Sequence, residues 1–214
     1  MQIKLQNFIP SPLAEMFSHS SDIWKKKELI LNIQFITSIV SASGKGKSSL
    51  LSSIYGVRKD FEGTVFIDNT DTKSIDLLQW SEIRKNKLSM VFQNLHLFPE
   101  LSALENITVK NNLTNHKSEA EILELMDKLG MAAHKEQSAA SLSFGQQQRI
   151  AIIRALCQPY QCILLDEPFS HLDLNNAKIA MDLIISESKA NNANIIITGL
   201  AENNFYQTDE ILNL

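Results

Sequence analysis

The stretch Phe35-Ile-Thr-Ser-Ile-Val40, continued by Ser41-Ala-Ser-Gly-Lys-Gly-Lys-Ser48, decides the fold. Its first six residues predict a buried strand, and the small residues that follow give way to a helical pattern that Gly56 can end. Gly44 and Gly46 let the backbone curl so that successive amides point inward, and the helix that follows adds its N-terminal dipole. A strand, a glycine-containing loop and a helix together predict a phosphate-binding loop in an α/β protein.

Chemical roles follow from the residue types in this loop. Lys47 is expected to lie against the β- and γ-phosphates of a nucleotide, and Ser48 to offer its hydroxyl to Mg²⁺. Ser41 stands where the general pattern has its first glycine. The alternative is a strand-to-helix turn that binds nothing. The predicted nucleotide-binding residues of the loop are Ser41, Ala42, Ser43, Gly44, Lys45, Gly46, Lys47, Ser48 and Ser49.

Strands and helices alternate along the rest of the chain, which favours a largely parallel sheet. Ile3 and Leu5 alternate with polar residues and predict an opening strand, followed by a loop at Pro10 and Pro12. Further strands are predicted at Thr64 to Ile67, Leu88 to Phe92, Cys162 to Leu165 and Asn194 to Thr198.

A helical insertion is predicted at roughly 95–155. Ser118 and Glu121 have the spacing of a capping box, apolar residues follow at helical spacing, and Gly130 supplies the stop. A second helix is predicted from near Ser143 to Gln158, ended by Pro159.

Two carboxylates end the predicted strand at Cys162 to Leu165. Asp166 suits a Mg²⁺ contact, and Glu167 can accept a proton from an attacking water or orient it. They lie at the edge where α/β sheets bind ligands. Paired acids after an apolar strand also commonly start a helix, so the phosphate loop upstream is what makes them a catalytic pair.

Three further motifs narrow the class. Ser143 and the Gly145 amide stand at the start of a helix, which is an anion-binding position. Gln93 closes a strand, where its carboxamide can reach metal or water. The first motif comprises Leu142, Ser143, Phe144, Gly145 and Gln146, and the second is Gln93. The third motif, which follows the paired acids by a few residues, comprises Ser170, His171, Leu172 and Asp173.

Taken together, in order and spacing, these motifs resemble the nucleotide-binding subunit of an ATP-binding cassette (ABC) transporter. The resemblance covers nearly the whole chain and implies a single ABC-type domain over 1–214, with a helical subdomain at about 95–155. It implies a phosphate-loop core with a mainly parallel sheet and a small N-terminal antiparallel β portion. The stretch Phe92 to Ile107 looks most like the lipoprotein-release and macrolide-export branch.

The resemblance also implies how such a chain works. Two ATP-binding chains, alike or different, pair head to tail, and each phosphate loop holds ATP against the other chain's signature. Ser143 and Gly145 then bind the γ-phosphate held by the partner, and Gln93 senses the metal and reports to a transmembrane permease. Ser170 to Asp173 form the dimer loop. Phe144 replaces the first of two glycines usual in the signature.

Adenine in this family usually stacks on an aromatic residue about thirty positions before the loop lysine. Phe17 and Trp24 are the two candidates, and either could instead belong to the core.

The departure with the largest consequence is Gly199. The family places a histidine there, which touches the γ-phosphate, and none of the five histidines of this chain lies after that position. Two functions therefore compete: an ATPase that powers transport, and a regulatory clamp that binds ATP but hydrolyses it slowly. A small-molecule kinase or GTPase would leave the signature unexplained.

Composition agrees with a globular ATPase and excludes other classes. The 214 residues have 20 Lys and Arg against 24 Asp and Glu, a net charge of -4, and 44% hydrophobic residues. This balance argues against a nucleic-acid partner, which needs clustered basic residues. Two cysteines suit a reducing compartment, and no stretch is apolar enough to span a membrane. We therefore expect a cytoplasmic protein, peripheral on the inner face of the cell membrane, that uses ATP and Mg²⁺.

Overall fold

Nine strands and seven α-helices make up the described part of the chain. The computed structural model describes residues 1–15, 21–32, 35–201 and 205–214. The strands are β1 (Ile3–Pro10), β2 (Leu29–Ile30), β3 (Ile36–Val40), β4 (Phe61–Ile67), β5 (Thr70–Asp71), β6 (Leu88–Val91), β7 (Cys162–Asp166), β8 (Asn194–Gly199) and β9 (Glu210–Asn213). The helices are α1 (Ser11–Ala14), α2 (Lys47–Ile54), α3 (Leu77–Asn86), α4 (Ala103–Asn111), α5 (Glu119–Lys128), α6 (Phe144–Leu156) and α7 (Leu174–Ala190).

These strands form two sheets. The N-terminal sheet has four antiparallel strands in the order β2-β1-β4-β5, and the central sheet has five parallel strands in the order β6-β7-β8-β3-β9. The predicted fold, a mainly parallel sheet with a small antiparallel portion, is confirmed. The loop predicted after Pro10 is wrong in one detail, because the short helix α1 begins at Ser11, where Pro12 fits the first turn.

The central sheet is covered on both faces, as parallel sheets are. Every residue of β7 is buried. Ile163 and Leu165 face a core shared with α6 and α7, whereas Cys162 and Leu164 face a core shared with α2 and the antiparallel sheet. The middle strands therefore hold their carboxyl ends rigidly at one edge.

That edge gathers the predicted site. Asp166 pairs with Thr198 across β7 and β8, and Val40 pairs with Gly199 across β8 and β3. The Ser41 amide donates to the Gly199 carbonyl at 3.2 Å. The first residue of the phosphate loop thus lies beside the end of β8, whose other side pairs with the end of β7.

The predicted helical stretch contains α4, α5 and nearly all of α6. Residues 95–155 are all described, and none of them belongs to a strand of either sheet. Ser118 caps α5 through a complete capping box, and Gly130 follows it with a φ of 63°. The helix predicted to reach Gln158 ends at Leu156, because Cys157 already departs from helical geometry.

Candidate functional site

The phosphate loop joins β3 to α2 with the geometry that anion binding requires. Gly44 and Gly46 have φ values of 78° and 97°, in the left-handed region that favours glycine. Gly46 caps α2, so Lys47 is the first residue of the helix. A Cβ at Gly46 would lie 2.5 Å from Leu13 Cδ1, so a side chain there would displace Leu13 in addition to straining the left-handed backbone.

Lys47 is buried in this loop and fully engaged. Its side chain is 4% exposed, and its Nζ donates to the carbonyls of Ser41 at 2.7 Å and Ala42 at 3.1 Å. The same Nζ lies 3.2 Å from Oε1 of Glu167. The residue predicted to bind the phosphates and the residue predicted to act on the attacking water therefore form an ion pair.

The acidic turn is positioned by β7 and β8. Asp166 is 3% exposed, and its Oδ1 accepts a hydrogen bond from the Thr198 hydroxyl at 2.9 Å. Burial raises the pKa of the Asp166 carboxyl. Interactions with Ser48 and Thr198 lower it and offset part of that rise. Glu167 follows with a φ of 47°, a conformation that a non-glycine residue adopts only at an energetic cost. Its amide donates to Thr198 Oγ1 at 3.1 Å.

A cleft of about 320 Å³ opens above this loop. Ser43, Gly44, Lys47, Ser48 and Ser49 line it from the loop side, together with Gln93 and Glu167. Lys45 is exposed beside it. Residues predicted from three separate motifs thus meet in one cleft.

Oxygen ligands for a divalent cation converge beside Lys47. The Ser48 hydroxyl donates to Oε1 of Gln93 at 3.3 Å, and Ser48 is close enough to Asp166 to lower the pKa of its carboxyl. A hydroxyl, a carboxamide oxygen and a carboxylate are the hard ligands that Mg²⁺ takes. Among the described residues no cluster of three His, Cys, Asp or Glu side chains could hold a metal ion.

The signature residues cap α6. Ser143 accepts from the Gln146 amide at 3.3 Å, and Gln146 Oε1 accepts from the Ser143 amide at 2.8 Å, which completes a capping box. Leu142 is buried, whereas Ser143 is exposed, and within the described part of the chain its hydroxyl accepts one hydrogen bond and donates none. None of the described residues that line the cleft belongs to this motif.

Phe144 and His171 contact each other, although they come from different motifs. Their ring centroids are 4.2 Å apart at 62°, and Phe144 is 48% exposed. A Cβ at Gly145 would lie 2.8 Å from the His171 carbonyl oxygen, so the signature and the Ser170–Asp173 loop approach closely there. Leu172 is half-buried, and Asp173 caps α7 by accepting from Asn176.

The adenine contact stays a prediction. Phe17 lies outside the described residues. Trp24 is 4% exposed, packs on Phe8 with ring centroids 5.7 Å apart, and lies close to Gly46. Its ring therefore supports the phosphate loop and presents little surface to a base in this conformation.

Gly199 leaves open space beside Glu167. A second cleft, of about 270 Å³, is lined by Glu167, Phe169, Thr198 and Gly199, among others. Gly199 is the last residue of β8 and pairs with Val40, so its backbone is extended and accepts any residue.

Three residues in the site were missed by sequence reasoning. Thr198 was predicted only as the end of a strand. Its hydroxyl donates to the Asp166 carboxylate and accepts from the Glu167 amide. Gln148, 1% exposed, accepts from the His171 amide at 3.1 Å and donates to the Glu167 carbonyl at 3.3 Å, so it ties α6 to the acidic turn. Arg58 lines the cleft and donates to Ser49 Oγ at 2.7 Å. A polar residue on the apolar face of a predicted helix was the one available signal, and it pointed to Gln148.

Known proteins settle the family to which this arrangement belongs. Residues 25–170 match the sequence model of the ABC transporter family. The chain belongs to that family. It is an ATP-binding subunit of the ABC type, and the helices of the described residues are too short or too polar to cross a membrane.

Relatives in this family act in more than one kind of transport. The chain is 34% identical over 164 residues to the lipoprotein-releasing system ATP-binding protein LolD of Legionella pneumophila (strain Lens), covering 75% of this chain and 72% of LolD. It is also 34% identical over 183 residues to the phosphonates import ATP-binding protein PhnC 2 of Oceanobacillus iheyensis, covering 80% and 72%. The expected likeness to the lipoprotein-release branch is confirmed, and an import protein matches at the same identity.

Solved structures agree with the fold. The dimeric ABC transporter cassette MJ0796 superposes with a TM-score of 0.82 at 30% identity, covering 99% of this chain and 94% of that one. The same cassette in a post-hydrolysis state bound to ADP and Pi superposes with a TM-score of 0.79. The chain is therefore an ATPase of this family with the fold of an ABC cassette.

Proposed function

We propose that this chain powers a membrane transport complex by closing on a second ATP-binding chain around Mg-ATP and reopening after hydrolysis. The observation that carries the proposal is the Lys47–Glu167 pair at 3.2 Å, at the mouth of a cleft lined by the phosphate loop. It brings a phosphate-binding cation and a proton acceptor to one point.

Hydrolysis at this site needs water and ATP, and yields ADP and phosphate. Lys47 would leave Glu167 for the β- and γ-phosphates, which neutralises their charge. Glu167, released from the lysine, would orient the attacking water and accept its proton. Thr198 would keep Asp166 ionised and fixed through its hydroxyl. Ser48, Gln93 and Asp166 would hold Mg²⁺, which supplies charge neutralisation at the phosphates when bound.

The second chain is needed because the signature does not reach its own nucleotide cleft. Ser143 is exposed at the N-terminus of α6, and its hydroxyl donates no hydrogen bond within the described part of the chain, so a phosphate held by another chain can use both the serine and the helix dipole. Phe144 and His171 would lie on the same surface as Ser143, which faces the second chain. The slowly hydrolysing clamp is not favoured over this function, because the relatives are transport ATPases.

Dimerisation is tested with Glu167→Gln, which keeps the shape of the site and lacks the base. In size-exclusion chromatography with light scattering, we expect a dimer with Mg-ATP and a monomer with Mg-ADP. The double variant Lys47→Ala, Glu167→Gln is the control and is expected to stay monomeric. A strictly monomeric Glu167→Gln that nevertheless binds Mg-ATP would contradict closure between two copies.

The membrane partner and location are tested by purification from host membranes through a tag on this chain. We expect a membrane-spanning permease to accompany two ATP-binding chains, with the complex on the cytoplasmic face. Recovery of the chain only in the free, unaccompanied state would contradict the transport role.

A further inference from the structure

The loop between α2 and β4 brings an arginine to the nucleotide cleft. We call residues 57–60 the arginine loop. Arg58 donates its amide to the Ser52 carbonyl of α2 at 3.1 Å, and the Asp60 carbonyl accepts from the amide of Ser11, the first residue of α1, at 3.0 Å. The arginine loop is therefore tied to the phosphate-loop helix on one side and to α1 on the other.

The Arg58 guanidinium is held in one orientation by a carboxylate. Its Nε and Nη2 donate to Oδ1 and Oδ2 of Asp60, both at 2.7 Å. This is the two-point geometry in which an arginine and a carboxylate fit each other best. The hydrogen bonds from Arg58 lower the pKa of the Asp60 carboxyl, so the acid stays ionised at neutral pH and keeps the guanidinium fixed.

The third nitrogen of Arg58 is directed at the phosphate loop. Nη1 donates to the Ser49 hydroxyl oxygen at 2.7 Å, and Arg58 lines the same cleft as Lys47 and Ser48. Nη1 carries two N–H groups, and among the residues that the structure describes only the bond to Ser49 uses them. One N–H group is thus left for a ligand in the cleft.

An ordinary surface ion pair does not account for this arrangement. Arg58 and Asp60 are 30% and 55% exposed, and pairs of that kind contribute little to stability in water. The bond to Ser49 goes beyond the pair. Because Ser49 accepts through its oxygen, it can still donate its own proton to the same ligand. A hydroxyl and a cationic N–H group therefore meet at one point of the cleft.

The order of residues in the phosphate loop identifies which phosphate they meet. Successive residues of a helix point about 100° apart, so Lys47, Ser48 and Ser49 reach different partners. Lys47 contacts Glu167, the proposed base, and Ser48 contacts a proposed Mg²⁺ ligand. Hydrolysis takes place at the γ-phosphate, and Mg²⁺ bridges the β- and γ-phosphates. Ser49 and Arg58 are left for the α-phosphate, which is next to the ribose.

The apolar part of the cleft wall agrees with this assignment. Pro10, Pro12 and Leu13 line the cleft. Ser11, which lies between them in the chain, donates to the arginine loop, so the apolar lining is on the same side as Arg58. Apolar side chains suit the nucleoside part of a nucleotide better than its phosphates. The phosphate nearest Arg58 is therefore the one attached to the nucleoside.

We propose that Arg58 is a nucleotide-binding residue whose remaining N–H group donates to a non-bridging oxygen of the α-phosphate, beside the Ser49 hydroxyl. Asp60 is the positioning residue that fixes the guanidinium. The inference rests on the nucleotide binding that the proposed function requires, and it adds to the site a cation that lies outside the phosphate loop.

The test measures binding of Mg-ADP, which has the α-phosphate and lacks the γ-phosphate that hydrolysis requires. Isothermal titration compares wild type with Arg58→Met, which removes the charge and keeps much of the length. Lys128→Met, at an exposed lysine of α5 paired with Glu124, is the matched control. We expect binding to weaken roughly 10-fold in Arg58→Met and to stay unchanged in the control, because the contact that is lost is charged but partly exposed.

A second measurement separates contact with the nucleotide from support of the loop. In ADPαS a sulfur atom replaces one non-bridging oxygen of the α-phosphate, and sulfur accepts hydrogen bonds more weakly than oxygen. The two diastereomers place the sulfur on opposite sides, so only one of them loses the contact with Arg58. We expect the ratio of their dissociation constants to change about threefold or more between wild type and Arg58→Met.

Three outcomes would overturn the inference. Equal affinity of wild type and Arg58→Met for Mg-ADP would refute it and leave the proposed function intact. Weaker binding by Arg58→Met with an unchanged diastereomer ratio would make Arg58 a support of the loop and not a contact of the α-phosphate. If the wild-type chain binds no nucleotide, the proposed function and this inference fail together.

Discussion

Glu167→Gln should tighten nucleotide binding while it abolishes hydrolysis. The Glu167 carboxylate lies 3.2 Å from the Lys47 ammonium, and the two side chains are 15% and 4% exposed. ATP must take Lys47 away from this acid. A glutamine in its place competes less for the lysine and repels the phosphates less.

The size of the effect follows from the contact that is lost. A hydrogen bond between charged groups contributes about 1.5 to 3 kcal/mol, against about 1 kcal/mol for a neutral one. Lys47 keeps its bonds to the carbonyls of Ser41 and Ala42 in the variant. We therefore expect the affinity for nucleotide to rise about 3- to 30-fold, since 1.4 kcal/mol is a factor of ten.

Isothermal titration with a non-hydrolysable ATP analogue and Mg²⁺ measures this affinity for both proteins. Glu136→Gln, at an exposed acid paired with Lys135, is the matched control and should bind as the wild type does. Equal or weaker binding by Glu167→Gln would refute the idea that the acid and the phosphates compete for Lys47.

Three further predictions concern residues around the site. Gly199→His should raise steady-state phosphate release by up to 10²- to 10³-fold over Gly199→Ala, because the extended backbone and the adjoining cleft of about 270 Å³ accept the ring; equal rates in the two variants would show that another group already does this work. Thr198→Val removes the donor to buried Asp166 and should lower the free energy of unfolding by about 1 to 3 kcal/mol in urea titrations, with Thr198→Ser close to wild type; a silent Thr198→Val would contradict this. Lys110→Met should be more stable than wild type at pH 7, and the difference should close between pH 8 and 10.5, because the pKa of Lys110 is lowered from 10.5 to about 8 in the folded chain, so stability rises with pH in that window; a constant difference across those pH values would contradict it.

The sequence predicted those parts of the site that are written as local patterns. The phosphate loop needs small residues with positive φ between a strand and a helix. Gly44 and Gly46 indicate such positions, and both have positive φ in the structure. Asp166 follows a short apolar run, Cys162 to Leu165, which favours a buried strand. Such patterns depend on neighbours along the chain, so they are visible without a structure.

Contacts between distant segments were not predictable in this way. The Lys47–Glu167 pair joins residues 120 positions apart, and the register of β7 with β8 brings Thr198 onto Asp166. Arg84, Lys110 and Arg154 come from α3, α4 and α6, and their charges interact although the residues lie far apart along the chain. The side-chain contact between Phe144 and His171 depends on how α6 meets the acidic turn, which no local pattern encodes.

The central claim is that this chain hydrolyses ATP at one site built from Lys47 and Glu167. Phosphate release from Mg-ATP by purified wild type, Lys47→Ala and Glu167→Gln tests it most directly. The account predicts ATP-dependent release by wild type, and loss of it in both variants for different reasons: Lys47→Ala no longer binds the nucleotide tightly, and Glu167→Gln binds it without turnover. Release at the wild-type rate by either variant, with the fold intact by circular dichroism, would contradict the account.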